Sequence, residues 1–303
     1  MENHFHPGDD LGFLAADTLR IESFGLSGQL TVAKVQCLAE ASGIGGEEPV
    51  ASPRIVLPVR GLFMYHLGRT EYVAAPLAAF LLDPGDRCRV SHPADGGDEC
   101  MVLVPGPELL GEVFAAERGS GGPFRFRVKR LECEPGTALG VACLGRWLEP
   151  GREQLPAEEA AMALLAALAA AEPDPVPERY AERARACLAA EPTRAHALGE
   201  IAREVRCSPF HLARLFRRAT GSSLHQFLTR QRMALALRRL AEGEEDLARM
   251  ALELGFSSHS HFSQRFLATF GIQPSVARLA LTRKRLDDLS RILTARAPAR
   301  DRS

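Results

Sequence analysis

Two stretches of this chain set short polar and basic side chains at helical spacing beside a row of large apolar ones. Gly255 to Phe266 reads GFSSHSHFSQRF, and Ser208 to Gly221 reads SPFHLARLFRRATG. On a helical wheel, Phe262, Phe266 and Thr269 fall on one side of the downstream stretch. Ser260, Ser263, Gln264 and Leu267 fall on the other. Upstream, Leu212, Leu215 and Phe216 share the apolar side, while Phe210, Ala213, Arg214, Arg217 and Arg218 cluster outward. Outward faces of this kind, poor in acids, can bond nucleic acid. Ser and Gln are short enough to reach base edges and phosphates in a major groove, and Arg can bond O6 and N7 of guanine together. Phe and Ala suit the thymine methyl group. Arg214 is expected to contact guanine, and Arg217 and Arg218 to contact phosphates.

Other constellations offer less. His66 and Glu71, in YHLGRTEY, lack the second histidine of a His-x-His…Glu metal set, and His92 precedes Pro93 in a turn. His259 and His261 are two apart on a helix and point to different faces. His4 and His6 stand near the start of the chain. No metal or cofactor is therefore expected. FGLSGQ (24–29) carries Gln29 where a nucleophile elbow needs its last glycine, and SGIGGE (42–47) lacks the third glycine of a dinucleotide loop. The seven cysteines include no Cys-x-x-Cys pair, so neither a disulfide framework nor a zinc ribbon is expected. Cys88, between Arg87 and Arg89, is the one whose neighbours could lower a thiol pKa.

The elements that must position the two polar faces repeat within the chain. Ala202 matches Ala251 and Glu204 matches Glu253. One residue of offset later, Leu212 matches Phe262, Phe216 matches Phe266, and Gly221 matches Gly271. Each copy reads as a short helix, a tight turn, a serine cap and a longer helix ending in glycine, the layout of a helix-turn-helix. Two core αα-hairpins would look alike in outline, but their outward faces would have no need of this chemistry. The segment 222–241, as a helix, is about 30 Å long. Successive major-groove turns are ~34 Å apart. One chain can thus present two helices to two adjacent major grooves of double-stranded DNA.

Charge agrees with this. The net charge is −1, but residues 192–303 hold 20 Lys and Arg against 10 Asp and Glu, and the remainder is acidic. A basic half on an acidic one suggests a polyanionic partner. The first 150 residues read as short strands parted by Gly, Pro and Asp turns, consistent with a small β-sandwich or barrel, beside a short helix at 107–117. A helix opens near Pro156 and stops at Pro173, either packing within its own chain or pairing with a second copy. The stretch EPDPVPE (172–178) is expected to be a linker. The expected domains are thus 1–150, a helix and linker at 151–177, a helical domain at 178–285 and a basic tail at 286–303. No apolar run is long enough to span a membrane and the first residues lack the order of a signal peptide. The expectation is a cytoplasmic protein with no membrane partner.

Residues 178–281 resemble the DNA-binding domain of the AraC/XylS family of transcription regulators. The words that carry the resemblance are IAREV…SPFHLARLFRRATG…LHQFLTRQRMALALRRL and ALELGFSSHSHFSQRFLATFGIQPSVAR. It implies an all-α domain with two helix-turn-helix units joined by a long helix. By position, groove contacts come from Phe210, Ala213 and Arg214 in the first unit, and from His259, Ser260, Ser263 and Gln264 in the second. One departure is that Arg206-Cys207 stand where many members have a glycine. If that turn is left-handed, Arg206 costs ~1 kcal/mol. The amino-terminal region is more loosely similar to the cupin-like sensor domains of the family. The resemblance as a whole implies a multidomain α+β protein, a cupin-like β-barrel with flanking helices followed by the helical domain. It implies a regulator rather than an enzyme, whose barrel takes a small-molecule effector or makes a homodimer, with RNA polymerase as a further partner. The alternatives are a barrel enzyme or DNA-alkylation repair protein with an appended DNA-binding domain, and a constitutive DNA-binding protein whose barrel only dimerises.

Overall fold

Turn residues cut the amino-terminal half into short apolar runs that pair as strands. The computed structural model describes residues 19–26, 28–38, 43–114, 124–171 and 177–282. The residues of the expected tail at 286–303, most of the expected linker, His4 and His6 lie outside these. Strands β1 (Leu19–Leu26), β2 (Leu30–Cys37), β9 (Asp98–Pro105), β4 (Arg54–Arg60), β7 (Ala78–Leu82) and β10 (Arg130–Glu132) form one sheet in that order. Strands β3 (Glu48–Pro49), β8 (Arg87–Ser91), β5 (Phe63–Leu67) and β6 (Thr70–Ala74) form the other. Among the described residues every pairing is antiparallel.

The cupin-like β-barrel expected from the sequence is not there. A barrel needs an unbroken ring of strand pairing. Here, among the described residues, the first sheet ends on β1 and β10 and the second on β3 and β6. The two open sheets face one another instead. Ala33, Val56, Phe80 and Val102 from the first share one apolar core with Phe63, Tyr65, Cys88 and Val90 from the second. Cys88, whose arginine neighbours suggested an activated thiol, is buried in that core. A short helix, α1 (Pro107–Val113), follows β9, with Pro107 at its start where no donor is needed.

The rest of the described chain is helical: α2 (Pro135–Trp147), α3 (Gln154–Ala169), α4 (Arg179–Ala190), α5 (Leu198–Val205), α6 (Pro209–Thr220), α7 (Leu224–Ala241), α8 (Leu247–Glu253), α9 (His259–Phe270) and α10 (Pro274–Thr282). The chain divides into two compact units, Met1–Glu132 with Glu172–Arg232, and Cys133–Ala171 with Met233–Ser303. In the first, α4 lies on the sheets: Ala186 and Ala189 pack on Leu62, Val73 and Ala75. The same helix joins α5, α6 and the start of α7 in a second core that includes Ala184, Leu188, Val205, Leu212, Phe216 and Phe227.

Polar bonds fasten α4 and α7 to the sheets as well. Val73 donates its backbone N–H to Glu182 Oε2 at 2.8 Å, and Gln231 Nε2 donates to the Pro76 carbonyl at 2.9 Å. Arg230 reaches Glu132 on β10 at 3.0 Å. In the second unit α3 packs along α2, and α2 also meets α9 and α10. The helix expected from Pro156 onward is α3, which begins two residues earlier and turns Leu164, Leu165 and Leu168 inward. Among the described residues, no helix is long and apolar enough to cross a membrane.

Candidate nucleic-acid interface

The two matched segments fold as matched motifs, one in each unit. In the first, α5 ends at Arg206, whose φ of 62° and ψ of 49° are left-handed. The Cys207 N–H then donates back to the Ala202 carbonyl at 3.0 Å. In the second, α8 is followed by Gly255 with φ 79°, and the Phe256 N–H donates to the Ala251 carbonyl at 3.0 Å. The backbone conformation is shared, so the arginine occupies a position that favours glycine. Serine caps open both long helices. Ser208 Oγ accepts from the His211 N–H at 3.2 Å, and Ser258 Oγ from the His261 N–H at 3.1 Å. Left-handed glycines close them, Gly221 with φ 70° and Gly271 with φ 74°.

The inward faces are apolar as the wheels require. Leu212, Leu215 and Phe216 of α6 are buried. In α9, Phe262, Phe266 and Phe270 are buried, and their rings run on from Phe256 with centroids 5.5, 5.7 and 4.5 Å apart in sequence. Thr269, assigned to this face, is only half-buried. Burying three phenylalanines on one side fixes the rotation of α9 about its axis, and with it the direction of the polar residues.

Those residues lie outward. Phe210 is 78% exposed, far more than a ring of that size needs to be for packing. Arg214, Arg217 and Arg218 are exposed and Ala213 is half-buried beside them. On α9, His259, Ser260 and Gln264 are exposed. Ser263 is half-buried, and its hydroxyl lies 3.3 Å from His259 Nε2, one helical turn away. The structure adds exposed His211 on α6 and Arg265 on α9, which the wheels left out although both stand between residues that were chosen. Neither α6 nor α9 contains an acidic residue, so each presents a neutral-to-basic ridge over an apolar base.

The second motif is braced by charge. Arg239 of α7 reaches Glu244 and Glu253 at 2.7 Å each. The Arg239 guanidinium, and then the Asp246 N–H, hold the Glu244 carboxyl down to about 2. Elsewhere, His66 contacts Ser91 Oγ at 2.8 Å and Glu71 at 3.7 Å, and burial lowers its pKa. His92 is buried, bonded to Asp98 at 2.8 Å. That bond, and one to Cys37, raise the His92 pKa to about 9.

Known proteins are similar to this chain over the same segment. Residues 201–280 match the model of a helix-turn-helix domain family. The transcriptional activator AarP of Providencia stuartii is 34% identical over 85 residues, 28% of this chain and 63% of that protein. An AraC-like transcription regulator of Streptomyces lividans is 34% identical over 88 residues, 29% of each. The chain spans less than two thirds of either relative. Among solved structures, a regulator with an AraC-type DNA-binding domain from Chromobacterium violaceum is 25% identical, covering 35% of this chain and 94% of that one, with a TM-score of 0.33. The matched segment is a helix-turn-helix DNA-binding domain. Over that segment the chain is similar to the AraC/XylS family of transcriptional regulators. Nothing in these matches supports the enzyme or repair alternatives.

Proposed function

We propose that the whole chain acts as a sequence-specific transcription regulator that reads its operator with α6 and α9. Phe210, Ala213 and Arg214 contact bases in one major groove. His259, Ser260, Ser263 and Gln264 do so in the next, and Arg217 and Arg218 hold phosphates. The observation that carries this reading is the pairing, in both motifs, of an acid-free outward ridge with a buried apolar row. A helix that served only as core would have no reason to expose Phe210 or to gather three arginines outward. Long acidic side chains would be repelled by the phosphates, whereas this ridge gains from counterion release.

The amino-terminal sheets supply regulation, through an effector or through contact with a second copy, and RNA polymerase is the further partner such a regulator meets. Within the first unit, α4 and α7 are held to the sheets by Glu182, Arg230 and Gln231. A change in those sheets therefore has a route to α6.

Selection of genomic fragments by the purified chain tests the reading. Fragments sharing two half-sites about one helical turn, 10–10.5 base pairs, apart are expected. Retention of all fragments alike, with no shared sequence, would overturn it.

A further inference from the structure

Cys37 is the last residue of β2 and Asp98 the first of β9, and the antiparallel register sets them opposite one another. His92 follows the end of β8, on the connection that leads into β9. Its Nε2 lies 2.8 Å from Asp98 Oδ2. One donor atom from each residue, a sulfur, a nitrogen and an oxygen, can be chosen so that all three lie within 4.8 Å of one another, and all three side chains are buried.

The backbone that carries these donors is pinned. Gly97 has a φ of 64° and is packed so closely on the Cys37 carbonyl that a side chain there would collide with it. Gly61, with a φ of 81°, is packed the same way on the Gly97 carbonyl and on Asp98. Two glycines thus clamp the turn between His92 and Asp98 against the end of β2, an arrangement that holds the donors in place before anything binds.

The donors line a cavity of about 50 Å³ between the sheets, together with Arg54, Phe63 and Tyr65. That space takes an ion and a few water-sized atoms. It is far short of the roughly 300–1,000 Å³ of a drug-sized ligand site.

We propose that Cys37, His92 and Asp98 bind one thiophilic divalent cation of the zinc type, with the fourth position open to this cavity. Sulfur, imidazole and a single carboxylate suit a borderline-soft ion. Calcium and magnesium want a shell of oxygens, which this cavity lacks. Bond lengths of about 2.0–2.3 Å in a tetrahedron place donors between 3 and 4 Å apart, inside the observed span. A thiolate and a carboxylate together cancel a divalent charge, so the filled site adds no net charge beside the buried Arg54 guanidinium. The sequence hid the site because Cys37 on β2 lies far along the chain from His92 and Asp98, and only the β2–β9 register brings them together.

The site is in the sheets, and its test needs no DNA. Full-length protein freed of metal with a chelator is titrated with Co²⁺. One equivalent per chain is expected to give the d–d bands of tetrahedral cobalt and a thiolate-to-cobalt charge-transfer band, both bleached by Zn²⁺. Cys37→Ser should lose the charge-transfer band and Cys187→Ser should keep it. Asp98→Asn should weaken binding by more than the roughly 10–100-fold that losing an outer-shell partner costs. Wild-type protein that gives no tetrahedral cobalt spectrum would overturn the proposal, whatever the variants do. A charge-transfer band that survives in Cys37→Ser would also overturn it, by placing the ion elsewhere.

Discussion

Arg130 and Glu182 meet as a two-pronged ion pair, Nη1 to Oε2 at 2.6 Å and Nη2 to Oε1 at 2.7 Å, with both side chains almost wholly buried. The pair joins β10 to α4, and Glu182 also accepts the Val73 N–H of β6. Arg130 lies over the Tyr72 ring at 5.4 Å. Removing one partner strands a charge where water cannot reach it, so Glu182→Ala should cost about 3–5 kcal/mol in denaturant unfolding. Replacing both partners by apolar residues, Arg130→Met with Glu182→Leu, should recover part of that loss, because the desolvation cost of both ions disappears while the Val73 N–H is left without its acceptor. A single variant that loses less than about 1 kcal/mol, as an exposed pair would, would show that the contact is not a fastening.

The shared left-handed turn makes opposite predictions for its two occupants. Arg206 is exposed and pays for a φ of 62°. Arg206→Gly should therefore stabilise the first motif by about 0.5–1 kcal/mol, the relief of Cβ strain less the added freedom of the unfolded chain. Gly255→Ala in the second motif should destabilise by a similar amount. Thermal unfolding of the two variants beside the parent checks both signs, and a destabilising Arg206→Gly would mean that the arginine side chain contributes something the backbone argument omits.

Two arginines one turn apart on α6 should fail differently on DNA. Arg214→Ala should cost ~1–3 kcal/mol on the selected operator and relax preference at one base pair. Arg218→Ala should weaken binding to all sequences alike and reduce the slope of log affinity against log salt by about 1. Mobility-shift titrations at several salt concentrations separate the two. Uniform weakening by Arg214→Ala would reassign that residue to the phosphate backbone.

The helix-turn-helix motifs were legible in the sequence because each depends on local chemistry. A serine cap, a closing glycine and a phenylalanine every fourth residue leave little freedom in how 258–271 can fold. The left-handed turn at Arg206 could be anticipated from Gly255, its counterpart in the repeat. The sheets were not legible at the same level. Alternating strands have one buried face whether they close into a barrel or stack as two open sheets, and only whether the edge strands β1, β10, β3 and β6 find further partners decides between them. The Arg130–Glu182 pair and the meeting of Cys37, His92 and Asp98 were beyond reach for a related reason. Each depends on strand register or on where α4 docks, and neither leaves a trace in residue spacing.

Acid should loosen the second motif through Glu244. Arg239 and the Asp246 N–H favour its charged form and bring its pKa from 4.5 to about 2. A carboxyl whose pKa is lower folded than unfolded contributes stability that is fully present above its unfolded value. That contribution fades as pH falls from about 4.5 towards 2, where the folded state too takes up the proton. The groups stay close to solvent, so the contribution is modest, about 0.5–1 kcal/mol. Glu244→Gln should therefore unfold more easily than the parent at pH 7, and the gap should narrow steadily below pH 4.5 and close near pH 2. Urea unfolding at stepped pH measures it. A gap that stays constant across that range would show that the amide disturbs packing at the α7–α8 turn, and that the ion pair with Arg239 adds nothing.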